Sequence, residues 1–288
     1  MQVYRGMDIG TAKPSIEQRS LLPHHLIDIC NPDEQFSVGD FVRLADEAIA
    51  GIAARGALPV VSGGTGFYLK NCVLGLPEAP PSDAAIREAL KLELQEKGAA
   101  ALMEELARSD PASAEKIHLN DEYRLLRALE VLRLSGKPLS SFGLSGAAAN
   151  GASGPTRPCY RFLVVGLFRP REELYRRINE RCAAMFALGL SDEVRRLHEA
   201  GYSPRDPGLR AIGYREFFVE DEPGEYRLSQ DIDGVQALVA QNSRRYAKRQ
   251  ITFFASLPDA KKIMAGRDKA ETAGQLRKEL EGFLASTL

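Results

Sequence analysis

The sequence lacks tryptophan and contains few cysteines and histidines. Its four cysteines form no C-x-x-C pair and show no zinc-ligand spacing, which argues against metal–thiolate chemistry and against a disulfide framework. The four histidines do not form a ligand set, and no Ser–His–Asp arrangement follows from their spacing. Thiolate, histidine-metal and triad chemistry are therefore not expected, and a reducing cytoplasm is the predicted compartment.

Long apolar runs and a large net charge are also missing. No stretch of about 18 apolar residues occurs, so no membrane-spanning helix is predicted, and the first residues lack the apolar segment of a signal peptide. The 38 Lys and Arg balance 39 Asp and Glu, so the molecule as a whole is not a nucleic-acid-binding polycation. With 44% hydrophobic residues among 288, a folded globular chain is expected, by default a monomer.

Strand and helix patterns alternate in much of the chain. The apolar runs at 25–29 and 57–62 predict buried strands, and a helix that begins after the N-cap Ser37 and ends near Gly56 separates them. This order is typical of a parallel α/β sheet. Further strands are predicted at 159–168 and 260–266, and further helices at 171–188, 191–200, 213–219 and 234–256.

The middle of the chain has a purely helical pattern. One helix is predicted after Pro80, a break at Asp110-Pro111 ends the helical run, and another helix runs from Asp121 to Leu134. The small-residue-rich stretch 140–158 predicts a loop. We therefore predict an α/β core made of residues 1–79 and 141–288, interrupted by a helical insertion at 80–140.

The turn Gly63-Gly64-Thr65-Gly66 follows a predicted strand and opens a helix. Small residues and free N–H groups at such a position favour an anionic ligand, although a tight structural turn explains the glycines equally well. It is not a phosphate loop, because G-x-x-x-x-G-K-[ST] occurs nowhere in this chain.

Arginines recur in pairs. Arg124 and Arg127 are predicted on one side of a helix, where they either contact phosphates or stay solvated. Arg177 and Arg181 are four residues apart, and Arg181 falls in a predicted apolar stripe formed by Leu174, Ile178 and Met185. It therefore needs either an anionic partner, which a phosphate and a protein carboxylate would supply equally well, or a route to water.

Two further basic stretches, 209–215 and 243–250, contain tyrosine among their arginines. Interleaved charge and aromatic residues suit RNA backbone contacts and base stacking, whereas nearby acidic residues allow an ordinary basic helix flank. Several such stretches in a nearly neutral protein predict that the cations segregate onto one face.

Together these stretches resemble the tRNA dimethylallyltransferase family, also called IPP transferases. The matching segments cover nearly the whole chain in family order: MQVYRGMDIGTAKP (1–14), PHHLIDICNPDEQFSVGDF (23–41), PVVSGGTGFYLK (59–70), RLLRALEVLRLSGKPLS (124–140), residues 169–182, LRAIGYREF (209–217) and AKRQITFF (247–254).

The resemblance implies a P-loop-kinase-like parallel sheet core and a helical insertion that grips the anticodon stem. The implied reaction transfers a dimethylallyl group from dimethylallyl diphosphate to the N6 amine of the adenosine on the 3′ side of the anticodon in tRNA. It releases diphosphate, and Mg²⁺ is the implied cofactor. A free adenosine amine is a poor nucleophile, so alignment and leaving-group stabilisation would supply most of the catalysis.

The resemblance also implies site residues. Met1 and Gln2 match the second half of the family's D-S-x-Q substrate motif, and Thr65 and Arg87 match positions that contact tRNA. The other implied tRNA-contacting residues are Tyr123, Arg124, Leu125, Leu126, Arg127, Arg210, Ala211, Ile212, Gly213, Tyr214, Arg215, Lys248, Arg249, Gln250, Ile251, Thr252, Phe253, Phe254 and Ala255. Arg177 and Arg181 are candidate diphosphate contacts. Phe253 and Ala255 replace the family's usual Trp and Arg, which weakens one stacking and one phosphate contact.

Family members begin with a strand and a phosphate loop, whereas this chain begins inside the D-S-x-Q motif. We therefore expect the phosphate loop and the general-base aspartate to precede Met1, so that no catalytic residue is retained and the chain as given is impaired. Either translation starts upstream or the gene is a remnant. The alternatives are a non-catalytic tRNA-binding remnant and an adenylate isopentenyltransferase that acts on free nucleotide, against which the predicted insertion argues.

Overall fold

A computed structural model describes residues 1–76, 78–142, 160–255, 257, 260–266 and 268–286. The chain divides into two compact units. Unit 1 comprises Met1–Cys72 and Phe162–Leu288, and unit 2 comprises Val73–Arg161. The predicted boundaries of the insertion at 80 and 140 stay a prediction.

Unit 1 contains most of the regular structure. Its helices are α1 (Ile16–Leu21), α2 (Val38–Ala54), α3 (Gly66–Leu74, which ends just inside unit 2), α7 (Arg171–Ala187), α8 (Leu190–Glu199), α9 (Ile232–Ala255) and α10 (Lys269–Ala285). Its strands are β1 (Val165–Phe168), β2 (Phe218–Glu222), β3 (Glu225–Leu228) and β4 (Lys261–Met264). Strands β1 and β4 pair in parallel, with Val165 opposite Lys261, and β2 and β3 form an antiparallel hairpin.

Several sequence predictions for unit 1 are confirmed. Helix α2 begins after Ser37, whose hydroxyl accepts the N–H of Asp40, while the Asp40 carboxylate accepts the Ser37 N–H. This capping box satisfies donors that the first helical turn leaves free. The predicted helices over 171–188, 191–200 and 234–256 and the strand within 260–266 are also present, and the described part of 159–168 contributes β1.

Two predicted strands are wrong. Residues 25–29 contain Leu26 at φ +60° and Asp28 at φ +57°, which are left-handed conformations that break an extended strand. Their neighbourhood contributes one isolated parallel bridge, between Tyr4 and Cys30. The run 57–62 pairs with no strand in the described part of the chain, and Val60 is 78% exposed. An apolar run forms a ladder only where another strand supplies partners for its backbone.

The prediction of a helix over 213–219 is also wrong in part. Only Arg215–Phe217 form a short 3₁₀ turn, and the chain then enters the β2–β3 hairpin. The Pro223-Gly224 turn between the strands, with Gly224 at φ +91°, is a sequence signal that identifies this hairpin.

Unit 2 is helical, as predicted. Helix α4 (Ala84–Ser109) begins after the N-cap Asp83 and is interrupted at Gly98, and α5 (Pro111–Ala114) follows the Asp110-Pro111 break. Helix α6 (Glu122–Ser135) begins after the N-cap Asp121. The core of the unit consists of Leu90, Leu102, Leu106, Leu125, Leu126, Ala128 and Leu129.

The loop predicted at 140–158 begins with the end of a 3₁₀ turn over Leu139–Ser141, and from residue 143 onward it lies outside the described residues. Among the helices of the described chain, none combines the length and the apolar character that crossing a bilayer requires.

Candidate functional site

The N-terminal segment of unit 1 is held by one buried carboxylate. Glu193 of α8 is 2% exposed and accepts the backbone N–H groups of Asp8, Ile9 and Gly10 at 3.0, 2.8 and 3.2 Å. The Tyr214 hydroxyl donates to the same carboxylate at 2.7 Å. Burial, followed by the negative charge of Glu193, raises the pKa of Tyr214, so that this phenol stays a donor.

A second polar cluster lies on the same segment. The Lys13 ammonium, whose side chain is almost fully buried, contacts the carboxylates of Asp8 and Asp28 at 2.5 Å each and the Tyr4 carbonyl at 2.9 Å. Burial by itself would raise the pKa of Asp28, but the hydrogen bonds and charges of Lys13 and Arg19 outweigh burial and lower it. The charged side chains of this segment are thus paired with one another.

Met1 and Gln2, the predicted substrate contacts, stand at the start of this segment. The Gln2 side-chain amide donates to the carbonyls of Thr11 and Ala12 at 3.2 and 3.0 Å. The Met1 carbonyl accepts the N–H of Tyr4 at 3.1 Å, and Met1 itself is 48% exposed. The orientation of Gln2 therefore depends on the loop that Glu193 holds.

The predicted stretch 210–215 divides into a buried and an exposed part. Tyr214 and Gly213 are buried, and the Tyr214 ring packs so closely on Gly10 that a Cβ there would lie 2.6 Å from it. Ala211 and Ile212 pack partly against the core. Arg210 and Arg215 are exposed, and Arg210 donates to the Arg205 carbonyl at 2.6 Å. Only the two arginines of this stretch are well placed to reach a large ligand.

The glycine turn at 63–66 lies against α9. The Gly64 carbonyl accepts the Gln250 side-chain amide at 2.7 Å and the Tyr246 hydroxyl at 3.2 Å. A Cβ on Gly66 would lie 2.2 Å from the Phe253 ring, so the glycine permits this close approach. The structure thus brings exposed Thr65 to the same region as Gln250 and Phe253, which are separated from it by more than half of the chain.

The second half of α9 presents cations to solvent. Arg245, Lys248 and Arg249 are exposed, and among the described residues none of the three has an acidic side chain within ion-pair distance. They line an open depression together with Thr252 and Phe253. The other predicted α9 residues are Ile251 and Phe254, which are half-buried, and Ala255, which is exposed. This is a cationic surface whose lining includes an aromatic side chain.

In unit 2, a buried glutamate forms ion pairs with two of the predicted arginines. Glu130, with no exposed side-chain surface, contacts the guanidinium groups of Arg87 and Arg127 at 3.1 and 2.8 Å. It also accepts the Ser82 hydroxyl at 2.5 Å and the Asp83 N–H at 2.8 Å. Burial alone would raise the pKa of Glu130, yet the hydrogen bonds from Ser82, Arg127 and the Asp83 N–H, with the charge of Arg127, lower it. Arg87 and Arg127 are therefore largely engaged within the protein.

The exposed part of the predicted stretch 123–127 is its beginning. Tyr123 is 71% exposed and lies under the Arg87 guanidinium, 4.6 Å from its ring centroid. Arg124 is exposed and pairs with Asp121 at 3.2 Å. Leu125 and Leu126 are buried in the helical core, so their side chains do not reach a ligand from there.

The placement of Arg181 in an apolar stripe is wrong. Arg181 is exposed, and Cys182 takes the buried position beside Ile178 and Met185. Burial raises the pKa of Cys182, although the charges of Arg181 and Arg244 oppose this shift. Arg177 is exposed and lies 3.7 Å from Glu173. Neither arginine needs a phosphate to satisfy a buried charge.

Sequence reasoning missed Glu193 and Glu130, although a signal for both was present. Glu193 falls between Leu190, Val194 and Leu197 at helical spacing, so it lies on the buried face of α8. Glu130 sits in a run of buried α6 positions. An acid on an apolar helix face requires buried donors, and those donors identify the segments it holds.

The chain belongs to the IPP transferase family, whose sequence model matches residues 2–257. Relatives named tRNA dimethylallyltransferase occur in Geobacter sulfurreducens, 45% identical over 91% of this chain and 80% of the relative, and in Geobacillus kaustophilus, 45% identical over 88% and 76%. The predicted family and enzyme class are confirmed.

Solved structures agree with this assignment. The tRNA isopentenylpyrophosphate transferase of Staphylococcus epidermidis is 34% identical, with a TM-score of 0.64 over 98% of this chain and 88% of that chain. A eukaryotic dimethylallyltransferase, crystallised acting on tRNA, is 23% identical and shares the fold with a TM-score of 0.75. The predicted fold class is confirmed.

Proposed function

We propose that this chain transfers a dimethylallyl group from dimethylallyl diphosphate to the N6 amine of the adenosine that follows the anticodon in tRNA. Family membership supports the reaction class. The observation that supports RNA as the substrate is the row of exposed cations on α9, formed by Arg245, Lys248 and Arg249. This α9 row lies beside Phe253 and the glycine turn. Exposed cations next to an aromatic ring suit a phosphate backbone with an unstacked base.

In this proposal the residues of the chain bind the tRNA and orient the adenosine for the reaction. The adenine N6 forms a bond to the dimethylallyl carbon that bears the diphosphate, while the bond from that carbon to the diphosphate oxygen breaks. Diphosphate leaves with the electron pair of that bond, and the amine proton passes to solvent. Tyr123 and Arg124 in unit 2, and Arg210, Arg215, Lys248 and Arg249 in unit 1, are predicted residues that are exposed and available to RNA, and exposed Arg245 lies beside the last two on α9. Gln2 and Thr65 are the proposed contacts near the reacting groups.

Mg²⁺ remains an expectation from the family resemblance. Within the described ranges, no group of three or more His, Cys, Asp and Glu side chains forms a metal site. Because the side chains present do not assemble a donor set, we derive no step through the ion. A monomeric state and a cytoplasmic location likewise stay predictions.

The test is a transfer assay with the chain, dimethylallyl diphosphate, Mg²⁺ and an anticodon stem-loop. Because the chain as given is expected to be impaired, we expect only a small but detectable fraction of the stem-loop to gain the mass of one dimethylallyl group. We expect no gain when inosine replaces the adenosine, because inosine has no N6 amine. Salt-dependent binding without transfer would instead favour the RNA-binding alternative, and modification of free AMP but not of the stem-loop would favour the adenylate enzyme. Either result contradicts the proposal.

A further inference from the structure

We propose that Glu193 is a positioning residue for the reaction: from α8 it fixes the N-terminal segment that carries Gln2. The inference rests on the proposed function, in which Gln2 faces the substrate. Glu193 is 2% exposed and is not a catalytic residue, because a side chain enclosed in this way does not touch the reacting atoms.

The bonds of Glu193 are unusual for a buried acid. Its carboxylate accepts consecutive N–H groups from Asp8, Ile9 and Gly10 and the Tyr214 hydroxyl, and among the described residues it has no cationic partner within ion-pair distance. A buried carboxylate is tolerated when several donors replace its lost hydration. The donors here are mostly backbone, so the carboxylate dictates the path of the loop rather than the rotamer of a neighbouring side chain.

The loop transmits this constraint to Gln2. The residues directly after Gly10 are Thr11 and Ala12, and their carbonyls accept the Gln2 side-chain amide. The Thr11 hydroxyl donates to the Met7 carbonyl at 2.6 Å, which tightens the same turn. Ala12 has φ +47°, a conformation that persists only where the surroundings impose it. Glu193 and the Gln2 amide are thus linked through one short hydrogen-bonded turn.

Tyr214 completes the arrangement from a third part of the chain. Its ring covers Gly10 and its hydroxyl donates to Glu193, so it closes the pocket in which the carboxylate meets the loop. The resemblance assigned Tyr214 to tRNA contact, whereas the structure makes it a partner of Glu193. Removing the hydroxyl alone deletes one of the four bonds and leaves the loop bonds in place.

The experiment compares Glu193→Gln with Asp192→Asn, a matched control on the preceding, exposed position of α8. The glutamine is isosteric but turns an NH₂ group toward the backbone donors. We expect faster amide exchange at residues 8–10, a shifted signal of the Gln2 side-chain amide in NMR, and a transfer kcat about tenfold or more lower, because small misplacements cost rate. The stem-loop Kd should change less than about twofold, since the α9 row is untouched.

A second variant, Tyr214→Phe, tests the same arrangement independently of Glu193→Gln. Tyr214→Phe retains the carboxylate, so it should reproduce the NMR changes in weaker form even if Glu193→Gln fails to fold. Unchanged amide exchange and an unchanged Gln2 signal would overturn the proposal, as would equal losses in kcat and stem-loop affinity. If the wild-type chain transfers nothing, the proposed function fails, and the NMR comparison still decides whether Glu193 fixes Gln2.

Discussion

Helices α6 and α9 carry similar numbers of cations in sequence but use them differently. In α6, Arg127 contacts buried Glu130 at 2.8 Å, and Arg133 contacts Glu93 and Glu105 at 2.5 and 3.2 Å. In the second half of α9, Arg245, Lys248 and Arg249 are exposed and have no acidic partner among the described residues. The arginines of α6 mainly hold unit 2 together, whereas these three cations of α9 are available to a polyanion.

The difference follows from where the acids lie. Glu130 lies on the packed face of α6 with no exposed side-chain surface, and Glu93 of α4 is half-buried; each contacts the arginines that reach it. The packed positions of α9 are Val235, Val239 and Ala247, which offer no charge. Charge spacing alone therefore does not identify an RNA-binding helix.

The largest expected effect is on the α6 side of this comparison. Glu130→Gln should destabilise unit 2 by about 3 kcal/mol or more, because Arg87 and Arg127 lose the charge that compensates them in a buried setting. Chemical denaturation followed by circular dichroism measures this change. The control Glu122→Gln lies exposed in the first turn of the same helix and should cost less than about 1 kcal/mol. Equal effects would contradict the assigned role of Glu130.

For the exposed cations of α9, we expect substitution to weaken stem-loop binding without lowering the stability of the protein. Replacing Arg245, Lys248 and Arg249 by glutamine should make stem-loop binding less sensitive to salt. The negative slope of log K against log salt should decrease in magnitude by about 3. Fluorescence anisotropy at several salt concentrations measures the slope. An unchanged slope would show that the α9 row does not contact the RNA. A large drop in thermal stability would show that its cations are engaged internally.

The glycine turn offers a smaller steric test. Gly66→Ala should cost about 1–3 kcal/mol, because the new Cβ would lie 2.2 Å from the Phe253 ring. Gly63→Ala is the matched control, since a Cβ there meets nothing within 4 Å. Thermal unfolding of the two variants measures the difference. If both were equally tolerated, the turn would not lie against α9 as described.

The smallest expected effect concerns acid stability. Hydrogen bonds from Arg133 and Lys97 lower the pKa of Glu93 from 4.5 to about 2, and the pKa of Glu130 is also lowered. A carboxylate whose pKa is depressed by folding contributes stability above its unfolded pKa, and this stability is lost as the pH falls through the folded pKa. The melting temperature should therefore fall between about pH 4.5 and 2. Glu93→Gln should reduce this fall in melting temperature. An unaltered dependence of melting temperature on pH would contradict the role of Glu93 in acid stability.

The sequence was sufficient for the family and for most of the helices, although α1 and α10 were not predicted and the helix predicted at 213–219 is only a 3₁₀ turn. Amphipathic periodicity and caps such as Ser37 and Asp121 mark where helices begin, and these signals are local. The strand predictions at 25–29 and 57–62 failed because pairing depends on distant partners, which periodicity does not report. Similarly, the motif residues Leu125, Leu126 and Tyr214 matched the family by position but are buried. The family resemblance predicted a set of residues but not which of them face solvent.

The most direct measurement places transfer rate and stem-loop affinity side by side for two variants of unit 1, Glu193→Gln and the triple α9 replacement. We expect Glu193→Gln to lower the transfer rate at saturating stem-loop and to leave the affinity for the stem-loop nearly unchanged. For the α9 variant we expect the converse, weaker binding and a nearly normal rate at saturation. If both variants lowered both quantities by the same factor, the separation between a positioned N-terminal segment and an RNA-binding helix would be contradicted.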